Sequence, residues 1–175
     1  ETIVPFMDSI KAALELLSQL ETLKVFYSRN TRFPRMFSLP QNLRKLTMSG
    51  FRLSWEEISL VGKLPNLEFL KLLSYAFEGE EWKMEDEGFP KLKFLKLENL
   101  NIERWNTISS CFPPLEQLIL NGCYYLKEIP SCLEDIPTLK MIRGKGCMNS
   151  LKQCTKQIEE EQRVVGNEEL EIEID

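Results

Sequence analysis

The pattern L-x-x-L-x-L recurs six times along this chain of 175 residues. Successive copies follow one another after 23 to 25 residues, so they keep a common phase. Their first leucines are Leu20, Leu43, Leu67, Leu92, Leu115 and Leu139. The pattern is degenerate in the last copy, where Ile142 and Gly144 take the places of the second and third leucines. A period held over six copies makes each copy one structural unit that buries its apolar face only against its neighbours.

Within each copy the leucines alternate with other residues, which predicts a strand whose leucines face inward. A proline stands two or three residues before the first leucine of five copies, where it ends the preceding segment and favours an extended strand. These prolines are Pro40, Pro65, Pro90, Pro113 and Pro137. The period lies in the range of leucine-rich repeats. The sequence therefore predicts an α/β solenoid with a parallel sheet on its concave side and short helices or irregular segments on its convex side.

The predicted solenoid has three parts. Residues 1–19 form a truncated first repeat, in which the amphipathic segment from Asp8 to Leu17 is a convex helix and the preceding strand is missing. Residues 20–148 hold the six repeats. Residues 149–175 form a cap, with a helix that begins at Asn149 or Ser150 and a closing strand near the end of the chain.

The segments between the strands should pack on the convex side. Ser54 and Glu57 have the spacing of a capping box at the start of a short helix that extends to Leu64. Trp55, Trp82 and Trp105 fall 12 to 15 residues after the first leucine of their repeats. We predict that these three indoles pack inside the convex side and contact no ligand.

The residue types argue against catalysis. Histidine is absent, which removes the usual general base and the usual zinc ligand, and no glycine-rich phosphate-binding motif is present. Only the consecutive acids Glu85, Asp86 and Glu87 could be suspected as a metal or acid–base site, and such loop carboxylates are usually solvated. We therefore expect no enzyme activity, no cofactor and no metal site.

The cysteines indicate a reducing compartment. There are five of them, an odd number, without a C-x-x-C pair, so free buried thiols are expected. No N-x-S/T glycosylation site, signal peptide or apolar run long enough to span a bilayer is present. These features together predict a cytoplasmic chain that does not cross a membrane.

Three segments resemble plant intracellular nucleotide-binding leucine-rich-repeat immune receptors. They are FEGEEW at Phe77–Trp82, GFPKLKFLKLENLNIERW at Gly88–Trp105 and FPPLEQLILNGCYYLKEIP at Phe112–Pro130. With Cys147 and QIEEEQRVVGNEEL at Gln157–Leu170, the chain is similar to the C-terminal end of the coiled-coil class of these receptors. The resemblance covers essentially the whole chain.

The resemblance implies a recognition module of a disease-resistance protein. In that family the repeat domain senses a pathogen effector, or a host protein altered by one, and contributes to autoinhibition of the nucleotide-binding part. The family has no fixed ligand residues on this surface, so the resemblance supplies no site. The alternative is the substrate-recognition repeat domain of a ubiquitin-ligase adaptor, which would use the same scaffold to hold a degradation target.

A candidate binding site follows from the strand geometry. The third, fifth and seventh positions of the repeat should face the concave side, where neighbouring parallel strands lie about 4.8 Å apart. Four of the six fifth positions are cationic, and the third positions place Phe69 beside Phe94. We predict a protein-binding surface made of Lys24, Phe69, Lys71, Leu73, Phe94, Lys96, Ile119 and Arg143. Exposed aromatic side chains beside cations are typical of interface cores.

Two readings of the partner remain open. Residues 78–88 carry a charge of −5 and residues 159–175 a charge of −7, which leaves +7 for the rest of the chain. This distribution favours a protein partner with an acidic, partly apolar face over nucleic acid, because the basic row is short and the overall balance is acidic. Upstream parts of the receptor could instead cover Phe69 and Phe94.

Overall fold

The computed structural model describes residues 18–27, 39–84, 88–107 and 112–175. Seven strands of this part of the chain form one parallel sheet, in which each strand neighbours the next sheet strand along the chain. They are β1 (Thr22–Phe26), β2 (Lys45–Ser49), β4 (Phe69–Leu72), β7 (Phe94–Glu98), β9 (Gln117–Asn121), β10 (Met141–Lys145) and β11 (Glu171–Ile174). The parallel sheet predicted from the repeat is confirmed, and helices are few in the described residues.

The register of the sheet follows the repeat. Thr22 pairs with Lys45, Lys45 with Phe69 and Phe69 with Phe94, so equivalent positions of successive repeats stand side by side. The leucine positions face the core because side chains alternate along a strand. The inward-facing side chains at the middle of the strands are at most 1% exposed from β2 to β10. They are Leu46, Leu70, Leu95, Leu118 and Ile142.

Behind this sheet lie two short parallel pairs of strands. One pair joins β3 (Leu53–Ser54) to β5 (Phe77–Glu78), and the other joins β6 (Glu81–Met84) to β8 (Arg104–Thr107). A 3₁₀ turn at Trp55–Glu57 and the helix α1 (Ile58–Gly62) follow β3, and a second 3₁₀ turn covers Ser131–Asp135. The segments after β4 and β7 therefore form short strands and not helices.

The three tryptophans pack inside this layer, as predicted, and the structure shows that their rings form a stack. Trp82 lies 4.8 Å from Trp55 and 4.6 Å from Trp105 between ring centroids, with nearly parallel rings, and all three side chains are buried. Trp55 Nε1 donates to the carbonyl of Gly79, whereas Trp82 and Trp105 have no acceptor for their indole N–H among the described residues.

The capping box of Ser54 and Glu57 is confirmed, although it caps the 3₁₀ turn that precedes α1. Glu57 Oε2 accepts a hydrogen bond from the Ser54 backbone N–H, and Ser54 Oγ accepts one from Glu56. The helix expected to extend from Ser54 to Leu64 is therefore divided into a 3₁₀ turn and one short α-helix. The segment predicted as a helix from Asp8 to Leu17 lies outside the described residues.

The end of the chain folds as helix and strand. Helix α2 (Ser150–Val164) follows Asn149, and β11 then joins the main sheet beside β10. The expected side-chain cap is absent: Asn149 makes no capping hydrogen bond, and Ser150 Oγ donates to the Lys127 carbonyl at 2.6 Å. Neither described α-helix has the length and apolar character needed to cross a bilayer.

Candidate functional site

The outward face of the main sheet carries three rows of side chains, and we call it the ladder face. Its rows are the third, fifth and seventh positions of the repeat, aligned across the strands. Side chains of this face are half-buried or exposed, in contrast to the buried leucines behind them. The ladder face is thus the surface on which a partner could contact several repeats at once.

The two phenylalanines of the third row lie side by side, as predicted. The ring centroids of Phe69 and Phe94 are 6.0 Å apart and the rings are tilted by 31°. Lys45 Nζ lies 5.2 Å from the centroid of Phe69, and Lys71 Nζ lies 5.5 Å from that of Phe94. The rings are half-buried because they pack on each other and beneath these lysine side chains. This arrangement combines apolar area with fixed positive charge.

The basic fifth row is partly neutralised by neighbouring carboxylates. Lys96 Nζ lies 2.5 Å from Glu98, and Arg143 Nε lies 2.6 Å from Glu173. The hydrogen bond from Lys96 lowers the pKa of the Glu98 carboxyl below its ordinary value. Lys24 and Lys71 have no carboxylate at ion-pair distance within the ranges that the structure describes. Of the four cations in this row, Lys96 and Arg143 therefore have ion-pair partners within the chain.

An open pocket of about 420 Å³ lies on the ladder face between β4 and β11. Five of the predicted site residues line it, namely Lys71, Phe94, Lys96, Ile119 and Arg143. Three predicted residues do not line it. Phe69 contacts Phe94 of the lining but lies outside the pocket, and Leu73 is half-buried just after the end of β4. Lys24 lies on β1, at the far end of the sheet. The predicted set therefore spans more of the face than the pocket does.

The predicted site did not include the remaining residues of the pocket wall, although Asn121 and Lys145 stand at seventh positions, which the sequence places on this face. The remaining residues are Asn121, Gly144, Lys145, Glu173 and Asp175. Glu173 and Asp175 reach the pocket because β11 extends the sheet beside β10. The signal that could have found them is Gly144, which stands where the earlier repeats have a large apolar residue and so leaves room for another segment.

The cysteines carry no activated nucleophile in the described residues. Cys123, Cys132, Cys147 and Cys154 are free thiols, and Cys111 lies outside the described residues. Burial raises the pKa of Cys123 to about 12 and raises the pKa of the other three thiols. A raised pKa lowers the thiolate fraction, so these side chains pack as apolar groups.

The described residues also contain no candidate metal centre. Within the described ranges no three His, Cys, Asp or Glu residues cluster in a way that could hold a metal ion. The suspected acids Glu85, Asp86 and Glu87 lie outside these ranges.

No protein-family model matches the chain. The chain is 40% identical over 153 residues to a putative late blight resistance protein homolog of Solanum demissum, an alignment that covers 86% of the chain and 12% of the relative. It is 42% identical over 147 residues to a second such homolog, R1B-13 of the same species, over 82% of the chain and 13% of the relative. It is 40% identical over 146 residues to the late blight resistance protein R1-A, also of Solanum demissum, over 82% of the chain and 11% of the relative. The chain thus spans about an eighth of the length of these relatives, and its homologues are late blight resistance proteins.

Proposed function

We propose that this chain is part of the leucine-rich-repeat solenoid of a plant intracellular immune receptor, and that its ladder face recognises a pathogen effector or a host protein altered by one. The observation that carries the proposal is the 40–42% identity to late blight resistance proteins over more than four-fifths of the chain. The aligned parallel strands, with equivalent residues side by side, support the solenoid. These relatives favour the immune receptor over the ubiquitin-ligase adaptor.

The composition of the ladder face supports recognition of a protein. The half-buried pair Phe69 and Phe94 supplies apolar area that a partner can cover, and Lys45 and Lys71 place positive charge over both rings. Aromatic side chains, phenylalanine among them, are enriched at the cores of protein interfaces. The pocket beside Phe94 adds a concave contact. The ion pair with Glu173 leaves Arg143 with less positive charge to offer a partner than Lys71 has.

In this function the chain catalyses no reaction. The ladder face binds by contact, without cofactor or metal, and the nucleotide-dependent switch belongs to another part of the receptor. The same face can also contact that nucleotide-binding part and hold the receptor off, in which case ligand and autoinhibitory contact compete for one surface. A ligand that displaces the autoinhibitory contact then activates the receptor, because it binds the active state, in which the face is free, more tightly than the inactive state.

A domain exchange tests this function. The aligned segment of the late blight resistance protein R1-A is replaced by this chain, and the chimera is expressed in leaves challenged with the late blight pathogen. We expect altered recognition, seen as loss of the response of R1-A or as a response without challenge. A second chimera carries Phe69→Ala with Phe94→Ala, and a third carries Lys63→Ala, an exposed position behind the sheet, as the matched control.

If the first chimera responds, with or without challenge, the double phenylalanine change should alter that response, while the Lys63 change should leave it as it is; the phenylalanine comparison is read only from a chimera that responds. A first chimera that responds to challenge as strongly and as selectively as R1-A itself would show that this segment does not select the ligand. A phenylalanine chimera indistinguishable from the Lys63 control would remove the ladder face from recognition.

A further inference from the structure

We infer that the pocket on the ladder face binds an extended acidic segment of the partner, with two carboxylates four residues apart and an apolar side chain midway between them. This inference rests on the proposed function and specifies the partner's chemistry. The relevant residues are Lys71 and Lys145 at the two ends of the pocket and Ile119 between them.

The ladder face already binds carboxylates within the chain itself. Glu98 lies against Lys96 and Glu173 against Arg143, each at ion-pair distance. These contacts show that cations of the face can accept a carboxylate without rearrangement of the strands. They also neutralise two of the cations that line the pocket. Lys71 and Lys145 line the same pocket, are exposed, and have no carboxylate at ion-pair distance among the described residues.

The separation of these two lysines fits an extended chain that crosses the strands. Lys71 is on β4 and Lys145 on β10, with β7 and β9 between them, so three strand spacings separate them. At about 4.8 Å per spacing the distance across the sheet is about 14 Å. Lys145 also lies two positions further along its strand, which makes the diagonal about 16 Å between backbones.

An acidic segment of the inferred spacing covers this distance. An extended chain rises about 3.3 Å per residue, so two residues four positions apart are about 13 Å apart and point to the same side. The remaining few ångströms are within the reach of the long, flexible lysine side chains, each of which carries a mobile ammonium group. Both lysines can therefore meet a carboxylate of one bound segment.

The midpoint of such a segment falls on apolar area. A side chain two residues after the first acid lies about 6.6 Å along the segment, between β7 and β9. Ile119 of β9 stands there in the same row as Lys71, is half-buried and lines the pocket. An apolar residue at the midpoint would remove its own apolar surface and that of Ile119 from water, which favours binding. The pattern acid, any, apolar, any, acid therefore matches charge and apolar surface at once.

The far wall of the pocket limits the length of this pattern. Glu173 and Asp175 line the pocket beyond Lys145 and place negative charge there, because β11 lies beside β10. These acids weaken the attraction of Lys145 for a carboxylate, and they repel a further carboxylate beyond it, which no lysine of the pocket offsets. The pocket therefore selects two spaced carboxylates over a long acidic run.

Peptide titration of the 175-residue chain tests the inference. The probe is the capped peptide Gly-Glu-Thr-Leu-Thr-Glu-Gly, and its matched isomer Gly-Glu-Glu-Thr-Leu-Thr-Gly has the same composition and charge with adjacent acids. Dissociation constants are measured by chemical-shift titration at low salt. We expect the spaced peptide to bind about two- to fivefold more tightly than the isomer, the range that one additional exposed ion pair supplies. Either Lys71→Glu or Lys145→Glu should weaken the spaced peptide about tenfold or more, because each reversal adds repulsion to the lost pair.

The control Lys63→Glu makes the same charge change behind the sheet and should change the affinity less than about twofold. Four results would each overturn the inference. The two peptides could bind with equal affinity, or neither could bind detectably. Lys63→Glu and Lys71→Glu could cause equal losses, or inorganic phosphate could displace the peptide completely. If one of these results is obtained while the R1-A chimera still changes recognition, the ladder face keeps its proposed function and only the acidic pattern is rejected.

Discussion

At the residue scale, burial makes the thiol of Cys123 a packing group and not a reactive nucleophile. Its Sγ lies 3.7 Å from the carbonyl oxygen of Leu97 and the side chain is fully buried. Loss of solvation is the largest cause that raises its pKa, and the neighbouring Cys147 adds to it. Cys147 stands at the same position of the next repeat, with Sγ 3.5 Å from the carbonyl of Leu120. The two thiols therefore act as small side chains that also donate to strand-end carbonyls.

We predict slow alkylation of Cys123 in the folded chain. A folded pKa raised to about 12 leaves almost no thiolate near neutral pH, and the thiolate is the nucleophile. At about pH 8, labelling of Cys123 by iodoacetamide should be about a thousandfold or more slower than in the unfolded chain, where the thiol has a pKa of about 8.5. Peptide mass spectrometry follows each cysteine separately. In denaturant without reductant all five thiols of the sequence should react. Rapid labelling of native Cys123, or a thiol that never reacts, would contradict this account.

Asn99 adopts a backbone conformation that contacts with the neighbouring repeats stabilise. It adopts a left-handed backbone with φ of 51°, at the position where other repeats have Gly50 and Gly122. Among residues with a side chain, asparagine tolerates this region best because its short amide can form local hydrogen bonds. The backbone N–H of Asn99 donates to the Asn121 carbonyl, and its side-chain amide donates to Ser74 Oγ at 3.2 Å. Hydrogen bonds to the repeats on both sides therefore hold this turn.

At the element scale, β11 and α2 complete the sheet and the layer behind it. Gly144 stands on the inward face of β10, and a side chain there would meet Ile174 of β11 at 2.8 Å. Ile174 therefore occupies space that a large apolar side chain fills in the earlier strands. In α2, the buried Gln162 donates to the carbonyls of Leu133 and Ile136, which joins the helix to the last 3₁₀ turn. The cap is thus fixed by one missing side chain and one buried amide.

We predict that Gly144→Leu releases β11. The added side chain overlaps Ile174, and overpacking of this kind costs about 1–3 kcal/mol. Urea denaturation should show this loss, and hydrogen exchange should accelerate at the Asp175 amide, which donates to the Gly144 carbonyl. The double variant Gly144→Leu with Ile174→Ala restores the space and should recover part of the stability, with Ile174→Ala alone as control. A Gly144→Leu variant as stable as the parent, with β11 still protected, would rule out this packing.

At the scale of the whole molecule, charge alternates along the sheet edge where the strands begin. The residues that precede the strands from β1 to β10 are alternately acidic and basic: Glu21, Arg44, Glu68, Lys93, Glu116 and Lys140. Ion pairs join Arg44 to Glu68 at 2.9 Å and Lys140 to Glu116 at 3.4 Å. Exposed pairs contribute little individually. Their alternation nevertheless means that stacking of the repeats brings no like charges together at this edge.

We predict opposite outcomes for substitutions on the two faces of the sheet. Phe69→Ala and Phe94→Ala remove side chains of the ladder face and should change the free energy of unfolding by no more than about 1 kcal/mol each. Leu70→Ala and Leu95→Ala, one position further along the same strands, remove fully buried side chains and should cost about 2–5 kcal/mol each. Chemical denaturation of the four variants provides the comparison. If the phenylalanine variants unfold and the leucine variants do not, the two faces are inverted.

The sequence by itself determined the strands of the main sheet from β1 to β10, their register and the face that each of their side chains takes. This was possible because the repeat period and the alternation of leucine are local signals, and neighbouring repeats obey the same signals. The pair Phe69 and Phe94, the burial of the three tryptophans and the capping box followed from those positions alone.

Only the tertiary structure decided which charges of the ladder face remain unpaired and where its pocket lies. Whether Arg143 is free depends on Glu173, which is 30 residues away and reaches it because β11 adds to the sheet beside β10. Spacing along one repeat contains no information about that contact. The missing side chain at Gly144 leaves room for β11, and β11 brings Glu173 and Asp175 to the ladder face. The electrostatics of the face therefore depend on the assembled sheet and not on any single repeat.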